Sequence, residues 1–267
     1  MINTIYYGAS GRIGGLLEES QIKGRIFFAK RGGWFQENGL LIEQEQLLRD
    51  IYGHAVRLLD FSIDYSSSSN MLLHEQQKKD FFEKLLEVAQ VQCFVGMSSG
   101  AAQFPLHIIE NEFYKKYSQF KSEHSKFLDS LNIPVFYPQI FTLIGKRSFS
   151  YKTTGWVNVI EQAKNGGIVE ISDPYELRSW VSEATLQRYI LNFLNNPSEN
   201  FFSAIVDGNF CLYELVAIVN RLTGNQSEIR INKKNKWLPV AYINQCSSIL
   251  SGDLVLENVI SEVLNLD

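Results

Sequence analysis

Thr4-Ile5-Tyr6-Tyr7-Gly8-Ala9-Ser10-Gly11-Arg12-Ile13-Gly14 is the stretch on which the reading of the chain turns. Four β-favouring residues run into a glycine, and glycines recur at Gly8, Gly11 and Gly14 in a GxxGxxG pattern. A strand, a glycine turn and a helix in that order suit a pyrophosphate. Glycine lets the backbone turn sharply and approach the phosphates, and a helix N-terminus offers unpaired N–H groups and the positive end of a dipole. Residues 8–20 are therefore expected to be a loop opening a helix. Gly8, Ser10, Gly11, Arg12, Ile13 and Gly14 are the candidate phosphate contacts.

A second strand, residues 25–29, ends in Ala29-Lys30-Arg31-Gly32. An acid at this place would accept hydrogen bonds from a ribose 2′-hydroxyl. Lys30 and Arg31 are cations that pair with a 2′-phosphate instead. The expected cofactor is NADP.

Further along, residues 40–42 read as a short strand and 56–61 as another. Residues 75–90 form an amphipathic helix with Phe81, Leu85, Val88 and Ala89 on one face. A strand at 93–97 runs into Ser98-Ser99-Gly100, a long helix covers 113–132, and 135–137 is a strand closed by Pro138. Alternating strands and helices joined by short loops predict a parallel sheet with helices on both faces. Past residue 147 the alternation loosens, with helices expected at 157–163, 182–194 and 213–222, the last ended by Gly224.

The bulk composition is that of a soluble globule, with 267 residues, 45% hydrophobic and 20% charged. A net charge of −4 argues against nucleic acid as the main partner. The three cysteines form no CxxC and the four histidines no HxxxH, so no metal is expected. The N-terminus lacks the pattern of a secretory signal, and no apolar run is long enough to span a bilayer. The expectation is a cytoplasmic protein without a membrane partner.

Tyr117 and Lys121 form a YxxxK pair whose spacing puts both side chains on one helix face. A cation beside a phenol favours the phenolate, which makes the tyrosine an acid/base for a carbonyl or carbinol oxygen. The serines at the end of the 93–97 strand can hydrogen-bond the same oxygen.

Glycine loop, strand-end serine and YxxxK in this order resemble the short-chain dehydrogenase/reductase superfamily. The later segments resemble its extended branch, the sugar-nucleotide epimerases, reductases and dehydratases. Val135-Phe136-Tyr137-Pro138 is similar to that branch's strand ending in Arg-Pro, with Tyr137 in the arginine's place. Leu177-Arg178-Ser179-Trp180-Val181-Ser182 is similar to "RDFVHV", and the segment from Ala204 to Leu215 to "YNVGSG…SIKEL".

The resemblance implies an α/β fold, a Rossmann-type doubly wound parallel sheet with a small C-terminal substrate-binding lobe. Residues 1–147 would be the NADP-binding core. Residues 148–267 would be mainly the lobe, with segments returning to the core. Tyr117 would be the acid/base. Lys121 would lower its pKa and hold the nicotinamide ribose. Ser99, with Ser98 as the alternative, would orient the substrate oxygen. Ser62 and Pro138 would border the cofactor, and Arg178 would face a nucleotide diphosphate. The implied partner is a nucleotide sugar, and a homodimer is compatible with the reading.

Lys78 falls where the branch carries an asparagine, and Gly100-Ala101 replaces the Asp-Glu pair of sugar 4,6-dehydratases, so dehydration is not expected. Three enzyme readings stay open: reduction of a keto sugar, epimerisation with bound cofactor, and an enzyme of the same fold acting on a different carbonyl. A non-catalytic dinucleotide sensor of the same fold is the fourth reading.

Overall fold

The computed structural model describes residues 2–62, 68–103, 106–109, 111–151, 155–231, 241–242 and 252–265. Residues 1–98, 116–138 and 187–203 make one compact unit; residues 99–115, 139–186 and 204–267 make a second. The first unit is thus made of three stretches of chain, and the second unit of the stretches between and after them.

The first unit is built on a seven-stranded sheet. In chain order its elements are β1 (Asn3–Tyr7), β2 (Arg25–Ala29), β3 (Trp34–Glu37), β4 (Leu40–Glu43), α1 (Gln44–Asp50), β5 (Ala55–Asp60), α2 (Ser68–Val88) and β6 (Gln90–Gly96). The two-residue strand β7 (Ser98–Ser99), α3 (Glu112–Asp129) and β8 (Val135–Phe136) follow, with Ser99 and the first turn of α3, to Lys115, belonging to the second unit. The strand order is β4-β3-β2-β1-β5-β6-β8. The strands from β2 to β8 in that order pair in parallel. Such parallel strands, with the chain leaving β1 for β2 on one side and returning to β5 on the other, make the Rossmann-type arrangement.

One edge departs from the expected parallel sheet. β3 pairs antiparallel with β2, and β4 antiparallel with β3. β3 and β4 are joined by the Asn38-Gly39 turn, where both residues have positive φ, 47° and 84°, and the chain reverses between β2 and β3 at Gly32 and Gly33, with φ 75° and 78°. An Asn-Gly pair favours the tight hairpin turn whose twist matches that of the strands it joins.

The largest correction concerns the glycine loop. No α-helix follows it. Residues 8–24 contain only two single 3-10 turns, Gly14–Leu16 and Glu19–Gln21. Gly11, Gly14 and Gly15 crowd what would be the first turns, each costing about 1 kcal/mol against alanine in a helix. The loop folds on itself instead. Gly11 N–H donates to the Gly8 carbonyl at 2.9 Å, and the Tyr6 hydroxyl donates to the Gly14 carbonyl at 2.5 Å.

One sheet face carries Ile5, Phe27, Val56, Leu58 and Phe94, buried against Leu47, Phe81, Phe82, Leu85 and Leu128 of the three helices. Alternation turns Tyr6 and Phe28 to the other face, where their rings stack at 5.9 Å. Where a crossover helix would cover β2, a groove of about 890 Å³ opens over Ile26 and Phe28. Farther along that face Phe136 packs on Phe193 and Phe201, each 5.3 Å away.

The second unit contains β9 (Gln139–Ile140), β10 (Thr142–Ile144), α4 (Lys146–Ser150), α5 (Gly155–Asn165), β11 (Gly167–Ile171), β12 (Leu177–Ser182) and α6 (Glu183–Asn195), whose last turns, from Gln187, belong to the first unit. β13 (Gly208–Cys211), α7 (Leu212–Thr223), β14 (Ser227–Ile231), β15 (Ala241–Tyr242) and α8 (Gly252–Leu264) complete it. β12 is central, parallel to β10 and β15 and antiparallel to β13. A core of Trp156, Ile160, Trp180, Leu215, Val219 and Ile260 holds the helices on this sheet. As expected, Gly224 ends α7, with φ 72° in the left-handed region.

Candidate active site

The sheet of the first unit brings several charged and phenolic groups together at the C-terminal ends of β5 and β6. Lys121 is in the middle. Its ammonium donates to the Met97 carbonyl at 2.7 Å and to the Tyr137 hydroxyl at 3.1 Å. Tyr117, one helical turn back on α3, is half-buried, and its ring centre is 5.9 Å from the Lys121 nitrogen. The YxxxK pair thus shares a face, as its spacing predicts. Lys121 nevertheless leans on a second phenol, which the sequence reading treated only as a departure from Arg-Pro.

Beside it lies a buried ion network. Lys78 donates to Asp60 at 2.7 Å and to the Ser62 carbonyl at 2.9 Å, and it pairs with Glu75 at 2.7 Å. Ser62, expected to border the cofactor, gives both its N–H and its hydroxyl to Asp60, at 3.1 and 2.9 Å. Burial pushes the Asp60 carboxyl up, but attraction to Lys78 and its hydrogen bond prevail and hold it below the usual range. Burial works against the Lys78 ammonium too; Asp60 and Glu75 overcome it and raise its pKa. His124, stacked on Phe120 at 5.5 Å, is pushed down to about 4 by burial and by Lys121, and is neutral at pH 7. Tyr7, paired in register with Asp60, is raised by burial and by that carboxylate. Asp60, Glu75, His124 and Tyr137 escaped the sequence reading because only the fold brings them to one strand end. The hydrophobic setting of Asp60, after Leu58-Leu59, is the one local hint of a buried acid.

The glycine loop and the end of β2 meet along the groove. Gly8, Ala9 and Ser10 line it at one place and Lys30 at another. Lys30 is exposed; the side chain of Arg31 lies outside the described residues. Gly8 has φ 74°, and a Cβ there would press on the backbone of Phe61 and Ser62. On Gly14 a Cβ would overlap the Gly8 carbonyl oxygen. Part of the GxxGxxG pattern thus serves the loop's own packing. Arg12 and Ile13 lie half-buried between these glycines.

Ser98 belongs to the first unit. Its N–H donates to the Pro138 carbonyl at 2.9 Å, and its buried hydroxyl has no hydrogen-bond partner among the described residues. Ser99 opens the second unit, where its hydroxyl accepts from Ala101 N–H at 3.2 Å. Arg178 lies on β12 and pairs with the buried Glu176 at 3.0 Å. Burial raises the Glu176 carboxyl in spite of that partner. Among the described residues no helix is long and apolar enough to cross a membrane, and no group of three His, Cys, Asp or Glu side chains could hold a metal.

Sheet, glycine loop and Tyr–Lys pair define a Rossmann-type α/β protein with a tyrosine and a lysine side by side at its strand ends. Solved structures share this fold over the whole chain. UDP-N-acetylglucosamine 4-epimerase from Bacillus cereus is 14% identical, with a TM-score of 0.66 over 100% of this chain and 99% of that one. UDP-glucuronic acid 4-epimerase from Bacillus cereus, in complex with UDP-glucuronic acid and NAD, is 15% identical, with a TM-score of 0.67 over 100% of both chains. RMD from Pseudomonas aeruginosa complexed with NADPH is 13% identical, with a TM-score of 0.63 over 99% of this chain and 96% of that one. No family model matches the sequence, and no curated protein matches it. At these identities the shared property is the fold alone, a Rossmann-type α/β fold.

Proposed function

We propose that the protein is an NADP(H)-dependent oxidoreductase that reduces a keto group of a nucleotide-activated sugar. The observation that carries this is the Tyr117–Lys121 pair, its ammonium fixed to Met97 at the end of β6. A bound nicotinamide dinucleotide would supply the hydride. The residues fit such a group, though without a helix N-terminus: a roomy groove joins Gly8, Ala9 and Ser10 to Lys30. Gly8, Ser10, Gly11, Arg12, Ile13 and Gly14 would hold the phosphates, and Ser62 and Pro138 would border the dinucleotide. Lys30 and Arg31 would take the 2′-phosphate, which favours NADP over NAD.

The chain's own groups do the proton work. Tyr117 gives its proton to the carbonyl oxygen as negative charge develops there, and Lys121 stabilises the phenolate left behind. Ser99, or Ser98 with its unpartnered hydroxyl, orients that oxygen. Arg178 pairs with the substrate diphosphate and must share itself with Glu176 to do so.

Epimerisation is the second reading. It is favoured by the two 4-epimerases among the structures of like fold. One experiment separates the readings: the pure protein with a panel of nucleotide-linked keto and hydroxy sugars. Loss of NADPH absorbance with a keto sugar supports reduction. Interconversion of 4-epimers without added NADPH supports epimerisation. Inertness to the panel, with neither NADPH nor NADH bound in calorimetry, overturns both.

A further inference from the structure

Tyr137 follows β8 and is 2% exposed, with its ring in the core of the first unit. Its N–H donates to the Phe201 carbonyl at 2.8 Å. Its ring centre is 5.3 Å from that of His124 and 6.1 Å from that of Phe94. A phenol wedged in this way cannot swing, so its hydroxyl is a fixed point. Lys121 uses that point. Its ammonium lies 5.3 Å from the centre of the Tyr137 ring and 5.9 Å from that of Tyr117, between two phenols. It bonds the hydroxyl of Tyr137 and, on β6, the carbonyl of Met97.

We propose that Tyr137 is a positioning residue: its hydroxyl holds the Lys121 ammonium against Tyr117. This rests on the acid/base reading of Tyr117 for its consequence in catalysis, but not for its geometry. A lysine stem has four rotatable bonds, and a single acceptor leaves the charge free to wander on them. Two acceptors on rigid supports, a strand end and a wedged ring, fix it. Tyr137 is too deeply buried to reach a substrate, so it acts through Lys121 alone. Its loss should therefore appear in turnover and not in substrate affinity.

Tyr137→Phe keeps the ring and removes the hydroxyl. In protein carrying ¹⁵N-lysine, a held ammonium gives a slowly exchanging N–H signal; the signal missing from Lys121→Met assigns it to Lys121. We expect that signal in the wild type and its loss in Tyr137→Phe. With NADPH and whichever keto sugar of the panel the wild type reduces, kcat should fall roughly ten-fold or more, the usual scale of a lost hydrogen bond to a charge, with KM unchanged. An unchanged ammonium signal together with unchanged kcat overturns the proposal. If the wild type reduces none of the panel, the functional reading fails, and the ammonium signal alone decides the positioning. Should Tyr137→Phe not fold, the wild type still decides: a nuclear Overhauser contact between the Tyr137 ring and the Lys121 ε-methylene supports the proposal, and its absence overturns it.

Discussion

Replacing Lys78 with methionine should cost the first unit about 3–5 kcal/mol at pH 7, the usual penalty for breaking a buried ion pair from one side. The side chains of Lys78, Asp60 and Glu75 are only 10%, 12% and 6% exposed. Methionine matches the stem but supplies none of the three donors that Lys78 gives to Asp60, Glu75 and Ser62. Asp60 would keep only the N–H and hydroxyl of Ser62. The pH dependence follows from the direction of each shift. In the wild type the Asp60 pKa is depressed, so its contribution is present above the unfolded carboxylate value of about 4 and is lost as pH falls through the folded value. In Lys78→Met burial dominates and the folded pKa rises above about 4. The penalty is then full at neutral pH and relieved as Asp60 protonates. The relief in the mutant narrows the gap between the two proteins from pH 7 towards about pH 4–5, and the loss of the wild-type contribution adds to it only below about pH 4. Native-state hydrogen exchange of β1 and β5 amides over a urea series, at pH 7 and pH 5, measures this. Adding Asp60→Asn to Lys78→Met should recover part of the loss. A gap below about 1 kcal/mol at pH 7, or one that does not change with pH, would refute the reasoning.

Tyr117→Phe should lower the rate of hydride transfer by about two to four orders of magnitude, as removal of a general acid does, and leave NADPH affinity unchanged; stopped-flow absorbance at saturating substrate checks it, and a wild-type rate would mean the assignment is wrong. NADPH should bind more tightly than NADH, and Lys30→Ala with Arg31→Ala should erase the preference; calorimetric affinities that are equal in the wild type would contradict this. Gly14→Ala places a methyl on the Gly8 carbonyl oxygen and should destabilise by about 1–3 kcal/mol, read as a Tm lowered by several degrees, whereas Gly53→Ala, with nothing near an added Cβ but a φ of 70°, should cost less.

What the sequence determined by itself is whatever depends on near neighbours along the chain. A run of β-favouring residues before Gly8 marks β1. The apolar spacing through Phe81 and Leu85 marks α2, and i, i+4 geometry puts Tyr117 and Lys121 on one face of α3. Gly224 ends α7 because a left-handed residue is needed there. The Asn38-Gly39 pair marks the hairpin turn between β3 and β4 in the same local way. The chain forms two 3-10 turns after Gly8, whereas the GxxGxxG pattern predicts a helix there because it weighs the glycines as phosphate contacts. Their cost to a helix, and the Tyr6 hydroxyl that captures Gly14 instead, come from packing. Tertiary structure alone decided the site's electrostatics. Lys78 is 18 residues from Asp60, and Lys121 is 16 from Tyr137. No local pattern records such distances; parallel pairing of β1, β5, β6 and β8 brings these residues to one end of the sheet. Once there, burial removes the water that would otherwise screen them, so each charge must find its partner within the fold.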